Sequence, residues 1–502
     1  MSEIIDMDFE DVGFRTESGH LVIPGPHKTN WLQIFAWSMY DLANTIFSLA
    51  VVSMTIASYI VILGVHQGIQ ESIGRIIFAV AGGIANIIVA FLLPVIGLYS
   101  DRSPSRKRPL VIITLFTIGA TAALGLTGEY WTTLFLFLAA NIAYQLSLVI
   151  YDNMIPYIAT REDTGKVSAL GVALGYLGSF VGLGISFYLL AKGYHDISLE
   201  NKDVGYAPAL YPLAALAFLI FAIPILFVKE HVRIEPPVPK EEIRKVLKTP
   251  PTIELAKKGL TELYDTIKDV YHTHREMLIY VIGWLIYVEV ANTVILYMGD
   301  ILREVLLLPK EQNIIILAAG IFWAVVLTYP VGIITEKIGP KKGFKMITAF
   351  WLLAFFFGIF VNFPDSPISL PKEFAYLMAF FIGPALGGGW VVNRQYVIEL
   401  APNGKTGKYF GLTQVGGRAS AAIGSVLWSG TIWLVERIFG WQNKRYYSFR
   451  IGLLVIILLL LLGQFIISQV NDYHEDFLKR TRPWDLDPEY FDKKRRDYKN
   501  KK

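Results

Sequence analysis

Two carboxylates, each with an amide almost one helical turn behind it, sit inside apolar stretches of this chain. Asp41-Leu42-Ala43-Asn44-Thr45-Ile46 occurs early, and Glu289-Val290-Ala291-Asn292-Thr293-Val294 repeats the pattern 248 positions later. The i, i+3 spacing puts acid and amide on much the same helical face. A carboxylate is costly in an apolar span, so such a residue marks a polar site. Burial favours its neutral form and a basic neighbour its charged form, so the group can take and release a proton, or hold a charged solute. A structural hydrogen-bond node between helices would use the same residue types.

Further polar groups lie in apolar runs. Asn141, Tyr144 and Gln145 share a helical surface that could line a cavity, and Asp152 with Asn153 follows where that run ends, placed to cap or gate it. Asn393, Arg394, Gln395 and Glu399 come after the glycine- and proline-containing stretch from Gly383 to Gly389. Gln414 and Arg418 stand in the next run. A buried arginine must be paired or face water. Arg418 is therefore expected to meet an anionic substrate group, to form a switching pair with Asp41 or Glu289, or to form a fixed ion pair, and Arg394 to gate with Glu399 or a loop acid. The substrate or proton site expected from the residues is Asp41, Asn44, Asn141, Tyr144, Gln145, Glu289, Asn292, Asn393, Gln414 and Arg418.

The elements that must position these groups are membrane spans. Of 502 residues 54% are hydrophobic and only 18% charged, with mean hydropathy +0.46, which a soluble chain of this size could not easily bury. Spans of about 20 residues can be placed at 31–63, 75–98, 109–127, 131–157, 167–191, 207–228, 277–298, 313–334, 344–362, 374–399, 408–434 and 449–470. The fold class expected is an all-α membrane protein of twelve transmembrane helices in two six-helix halves. Basic residues crowd the loops after the second and eighth spans, with Arg102, Arg106, Lys107 and Arg108 in one and Lys337, Lys341, Lys342 and Lys345 in the other. The positive-inside rule puts these loops, and both termini, in the cytoplasm of a multi-pass cell-membrane protein. The one contrary loop carries Arg437, Lys444, Arg445 and Arg450. Cysteine is absent, which excludes disulfides and thiol chemistry.

Two more correspondences link the halves. Gly97-Leu98-Tyr99-Ser100-Asp101-Arg102 is answered by Gly332-Ile333-Ile334-Thr335-Glu336-Lys337 at offset 235, and Gly165-Lys166 by Gly407-Lys408 at offset 242. The organisation expected is a cytoplasmic segment 1–30 that does not read as a signal peptide, a half 31–228, a linker 229–276, a half 277–470 and a charged, mobile tail 471–502. In the linker Ile253, Leu260, Leu263, Ile267 and Val270 recur at helical intervals, predicting an amphipathic helix.

The loop Gly97-Leu98-Tyr99-Ser100-Asp101-Arg102-Ser103-Pro104-Ser105-Arg106-Lys107-Arg108 closely resembles the signature between helices two and three of the major facilitator superfamily. Trp37-Ser38-Met39-Tyr40-Asp41-Leu42-Ala43-Asn44-Thr45, Tyr151-Asp152-Asn153-Met154-Ile155-Pro156 and Gly407-Lys408-Tyr409-Phe410-Gly411 resemble its vacuole-effluxer-like branch, the autophagy-related amino-acid effluxers and their prokaryotic relatives. Thr45 replaces the usual serine, and Arg418 stands where the branch commonly carries a lysine. The resemblance implies the major facilitator fold. It assigns Asp101, Arg102 and Arg106 to gating, with Glu336 and Lys337 as a weaker second copy, and Asp152, Arg394 and Glu399 complete the gating set. It favours a small polar metabolite such as an amino acid as cargo.

The function expected is secondary active transport by alternating access with proton coupling. An uncoupled facilitator and a membrane sensor or scaffold that retains the transporter fold are the alternatives. No nucleotide loop, metal-spaced histidine cluster or catalytic triad is legible, so neither enzyme chemistry, metal, cofactor nor nucleic acid is expected. The expected partners are a small polar solute, protons and lipid, and the expected state is a monomer.

Overall fold

The computed structural model describes residues 14–15, 21–235 apart from 104, 274–486 apart from 365, 403, 442 and 443, and residue 493. Within its helices the side chains of Arg102 and Arg418 also lie outside what is described, as does the linker stretch 236–273 on which the amphipathic helix is predicted.

Apolar runs of this length satisfy their backbone polar groups internally, and in lipid a helix is the one way a single segment can do so. The first group is α1 (Trp31–Ile46), α2 (Ile56–His66), α3 (Glu71–Arg102), α4 (Lys107–Thr127), α5 (Tyr130–Asp152), α6 (Ile155–Ile158), α7 (Thr164–Ala191) and α8 (Ala207–Ala222). After residue 273 come α9 (Arg275–Asp300), α10 (Lys310–Ile338), α11 (Pro340–Phe360), α12 (Ala375–Leu400), α13 (Thr406–Phe439) and α14 (Arg445–Ser468), then the short α15 (His474–Lys479) and α16 (Pro483–Leu486). Among the described residues eleven helical stretches are long and apolar enough to cross a membrane, and α13 is itself 34 residues long. This is an all-α, multi-span membrane protein apart from one small sheet.

Local chemistry sets the helix ends. Asn30 caps α1, its side-chain oxygen accepting from Leu32 N and Gln33 N at 3.1 and 3.4 Å. Glu129 caps α5 in the same way through Trp131 N and Thr132 N. Gly440 ends α13 in the left-handed conformation at φ +65°.

The first expected span, 31–63, is not one helix. After Ile46 the chain widens into a π-helical stretch, Phe47–Ser53, and restarts as α2 after Thr55. A second π-helical stretch, Ile301–Val305, follows α9. Prolines stand inside both α3 (Pro94) and α10 (Pro330). The small sheet has strands β1 (Phe14–Arg15), β2 (Leu21–Pro24) and β3 (Val232–Glu235), all antiparallel. Leu21 lies opposite Glu235 and Pro24 opposite Val232, so the segment before α1 is fastened to the chain leaving α8.

Helix α7 packs on α1 and also on α10 and α12, while α13 packs on α3, α5 and α9. These contacts join helices from either side of the undescribed stretch 236–273. The α1 contact depends on glycine: a Cβ on Gly171 would lie 2.9 Å from the Trp37 ring and 3.0 Å from Asp41 Oδ2. Large apolar side chains such as Ile76, Phe91, Leu115, Phe135, Leu458 and Phe465 stay exposed, as lipid-facing positions require.

The charged tail departs from expectation. Residues 474–486 are not loose but form α15 and α16, with Arg482 and Asp485 both at 0% exposure. Arg450, from the contrary basic loop, is buried too, donating to the carbonyls of Ile359, Val361 and Asn362 at 2.8, 3.1 and 3.3 Å. It holds a loop together, and for that reason is a poor indicator of sidedness.

Candidate functional site

A cavity of about 350 Å³ lies between α1, α5 and α7 on one side and α9, α12 and α13 on the other. Its centre is an ion-pair triad. Arg394 Nη1 donates to Asp41 Oδ2 at 2.9 Å, and Arg394 Nε sits 2.9 Å from Asp152 Oδ1. Gln414 Nε2 donates to Asp152 Oδ2 at 3.3 Å, which brings α13 into the same network. All three charged groups are under 10% exposed, so each depends on the others for solvation.

The triad rests on aromatic packing. Trp37 stacks on Tyr151 with ring centres 4.3 Å apart and planes 5° from parallel. Arg394 stands 5.5 Å from the Tyr151 ring centre, within cation–π range. Trp284 and Trp390 meet edge to face at 5.7 Å and, with Tyr176, add an aromatic, apolar part to the cavity lining. The cavity is thus an amphipathic chamber, lined by both paired charges and indole rings.

Of the expected site residues, Asp41, Tyr144, Asn292, Asn393 and Gln414 line this cavity. Asn292 Nδ2 donates to Gly417 O at 3.3 Å, and Asn393 Oδ1 accepts from Tyr280 at 2.6 Å. Asp152 and Arg394, expected at a gate, line it as well. Gln145 does not: it turns toward α3 and reaches Asn86 at 3.5 Å. Asn141 is half-buried away from the cavity, and neither amide atom of buried Asn44 has a hydrogen-bond partner among the described residues. Glu289 is buried outside the cavity lining, accepting from Thr293 at 2.7 Å and lying against Gly424, where any Cβ would collide with it. Arg418 belongs to α13, and its side chain is outside the described residues.

The expected gating residues form a second layer at the helix ends. Asp101 Oδ1 accepts from Gly407 N at 2.8 Å and from Asn153 Nδ2 at 3.0 Å, and its Oδ2 accepts from Lys408 N at 2.9 Å. A carboxylate from the end of α3 therefore caps the start of α13, where free N–H groups and the helix dipole favour negative charge. Glu336, near the end of α10, does the same for α7: Lys166 N donates to Oε2 at 3.0 Å and Lys166 Nζ lies 2.6 Å from Oε1. Arg106 pairs with Glu230 at 3.2 Å and lies 3.3 Å over the Tyr157 ring. Lys337 is exposed, and the Arg102 side chain is outside the described residues. Glu399 bonds Gln395 and His474, not Arg394. These contacts close the bundle at the end where α3, α7, α10 and α13 meet.

Sequence reading missed the aromatic wall, Lys166 as the partner of Glu336, and Asn153 as a donor to Asp101. The last two were within reach, since both flank motifs already in hand.

The cavity thus lies between two sets of helices, is lined by paired charges and is bounded at one end by the helix-end carboxylates, which leaves room for a small solute among the helices. The chain belongs to the family described as vacuole effluxer Atg22 like, whose model matches residues 64–473. It is similar to an uncharacterized protein of Aquifex aeolicus (strain VF5), 25% identical over 85% of this chain and 95% of that one. It is also similar to the uncharacterized MFS-type transporter YxiO of Bacillus subtilis (strain 168), 22% identical over 84% of this chain and 93% of that one. Among solved structures, the proton:xylose symporter XylE bound to 6-bromo-6-deoxy-D-glucose superposes with a TM-score of 0.61 at 16% identity, covering 88% of this chain and 97% of that one. That likeness carries the fold alone.

Proposed function

We propose that the protein moves a small polar metabolite by alternating access of two six-helix halves, twelve spans in all, with proton movement as the driving force. It works as a monomer in the cell membrane with both termini cytoplasmic, and amino acids are the first cargo class to test. The observation that carries this reading is Arg394 bridging Asp41 and Asp152 across the central cavity.

The described charged side chains lining the cavity are two carboxylates and one guanidinium, which leaves one negative charge in excess among side chains that are largely buried. A proton on either carboxylate brings the set to neutrality, and loss of that proton restores a doubly held arginine. Because Asp41 and Asp152 belong to α1 and α5 while Arg394 belongs to α12, the proton also sets how tightly the two sides are held together. The volume suits a monomeric solute. The indole wall would take its apolar part, and Asn292, Asn393 and Gln414 its polar groups.

The test is uptake of a mixed pool of amino acids, sugars, peptides and organic anions into proteoliposomes under an imposed pH gradient, with and without an uncoupler. Gradient-driven accumulation of one class, abolished by the uncoupler and by Asp41→Asn in a folded protein, is the expected result. Equilibration indifferent to the gradient removes proton coupling, and unchanged gradient-driven uptake by Asp41→Asn removes Asp41 from that role.

A further inference from the structure

The charged segment that follows α14 is built into the protein in a way that neither the triad nor the two helix-end carboxylates requires. Val470 O accepts from Lys341 Nζ at 2.6 Å, and Asn471 is held by Glu276 through its N–H at 2.9 Å and its side-chain amide at 2.7 Å. His474 Nδ1 lies 2.8 Å from Glu399 Oε1. Arg482 Nη1 then reaches the carbonyls of Glu399 and Ala401 at 2.6 and 3.1 Å, supplying donors to the open C-terminal end of α12. Its Nε and Nη2 clasp both oxygens of Asp485 at 2.7 and 2.8 Å, the bidentate geometry that makes such pairs strong.

The opposite edge of the segment touches the other set of helices. Arg161, in the short turn before α7, donates through Nη1 to Phe477 O at 2.8 Å and to Asp485 Oδ2 at 3.2 Å, and its guanidinium lies 4.8 Å over the Phe477 ring. Asp485, though buried, stays below the ordinary carboxylate range because Arg482 and Arg161 outweigh the cost of burial. A segment that served only to cap α12 would need Arg482 alone. The Arg161 contacts make it a bridge from the end of α12 to the start of α7.

We propose that residues 470–486 are a working part of the gate, a strap that ties the α12 end to the α7 start while this end is closed and releases at Arg161 when it opens. The point of release follows from how the bonds are distributed. Lys341, Glu276, Glu399 and Ala401 all hold the strap to α9, α11 and the end of α12, whereas Arg161 is the contact on the α7 side described above. When the end opens, the strap travels with the α9 to α14 set, and the Arg161 contacts to Asp485 and Phe477 O break. Arg161 and Asp485 are positioning residues for the conformational change, touching no solute.

This inference rests on the alternating-access reading, and its test measures access, not transport. The chain has no cysteine, so Leu148→Cys, on the cavity wall, gives a unique reporter. Its rate of labelling by a membrane-impermeant maleimide is read from each side in sealed vesicles of known orientation. Arg161→Gln is expected to speed labelling from the strap side about fivefold while leaving Arg482 and Asp485 clasped, the equivalent of about 1 kcal/mol. Arg161→Lys, which restores a cation, should return most of the way to the parent rate. Wild-type labelling by Arg161→Gln, alongside faster labelling when Asp101→Asn loosens the gate, overturns the strap and leaves the gate reading standing. No change in either variant overturns alternating access at this end, and the strap with it. Should Arg161→Gln fail to reach the membrane, Asp485→Asn, which keeps the Arg482 bonds to the α12 carbonyls, is read on the same scale with the same two outcomes.

Discussion

Asp101 and Glu336 occupy matching places, each near the end of a proline-containing helix and each capping the start of a helix across the bundle, yet they do so by different physics. Asp101 takes two main-chain N–H groups and the Asn153 amide, all fixed by the backbone or buried. Glu336 takes one main-chain N–H and the Lys166 ammonium, on a side chain 30% exposed that also pairs with Asp163 at 3.0 Å. The first contact is a preorganised anion site; the second is an ion pair at a wet edge. A pre-formed donor set loses little on closing and tolerates no substitute, whereas a lysine can follow a carboxylate that moves. The difference suggests that the α3–α13 contact fixes where the end closes and the α7–α10 contact adjusts how tightly.

Matched acid-to-amide substitutions sharpen this contrast. Asp101→Asn has the largest expected effect, because its amide NH2 must oppose at least one of three fixed donors. A buried donor left unsatisfied beside a repelling one costs about 3 kcal/mol, on the order of a hundredfold in the closed-to-open ratio. Faster maleimide labelling of Leu148→Cys from the Asp101 side reads it directly. Parent-rate labelling would mean that the close approach of Gly97 and Gly407, where a Cβ on either glycine would collide with the other's carbonyl oxygen, holds this end without the carboxylate. Glu336→Gln keeps an acceptor for Lys166 N and turns its NH2 toward the Lys166 ammonium, which is partly exposed and can shift to Asp163 or to water, so about 1 kcal/mol is expected. Salt separates the two contacts further: raising ionic strength should loosen the Glu336 contact and leave the Asp101 contact alone, since only the former is a partly hydrated ion pair. Equal salt sensitivity in the two single variants would erase the distinction.

Much of this helix-end layer was readable in the sequence, and the centre much less so. The resemblance marked Asp101 and the weaker Glu336 copy, and hydropathy placed the spans. Arg394, however, lies 353 positions from Asp41, and nothing local says which of several buried acids it meets. Glu399, five positions away on the same helix, looked nearer and is not its partner. Asn141, Tyr144 and Gln145 share a helical face, but that face is wide enough that Tyr144 enters the cavity while Gln145 turns to α3. The break after Ile46 carries no proline or glycine, so it comes from tertiary packing and not from local propensity. The segment after α14 misled by composition: its charges read as solvated, because a buried pair such as Arg482 and Asp485 is worthwhile only against a particular partner surface, here the carbonyls of Glu399 and Ala401 and the Arg161 guanidinium.

The smallest expected effect lies where the strap meets the gate, at His474. Burial alone would push this imidazole down, but its bond to the Glu399 carboxylate, aided by the Glu336 carbonyl and by Asp472, holds it above the ordinary histidine value. A group whose value is raised in the docked state binds its proton more tightly there than when released, so protonation favours docking. That contribution is fully present below the ordinary histidine range, about pH 6.5, and fades as pH rises through the raised value. Alkalinising the strap side should therefore speed labelling of Leu148→Cys a few-fold beyond the rise that thiolate formation alone gives, by weakening the strap and not the Asp101 contact. His474→Gln keeps a hydrogen-bonding side chain facing Glu399 without a titrating ring, and should show only the rise with pH that ionisation of the reporter thiol itself gives. If that variant retained the parent pH response, the response would belong to another group and His474 would add nothing to the hold that Arg482, Arg161, Lys341 and Glu276 have on the strap; if Glu336→Gln abolished it, the pH sensitivity would sit in the wet ion pair, and the contrast between the two helix-end carboxylates would extend to pH as well as to salt.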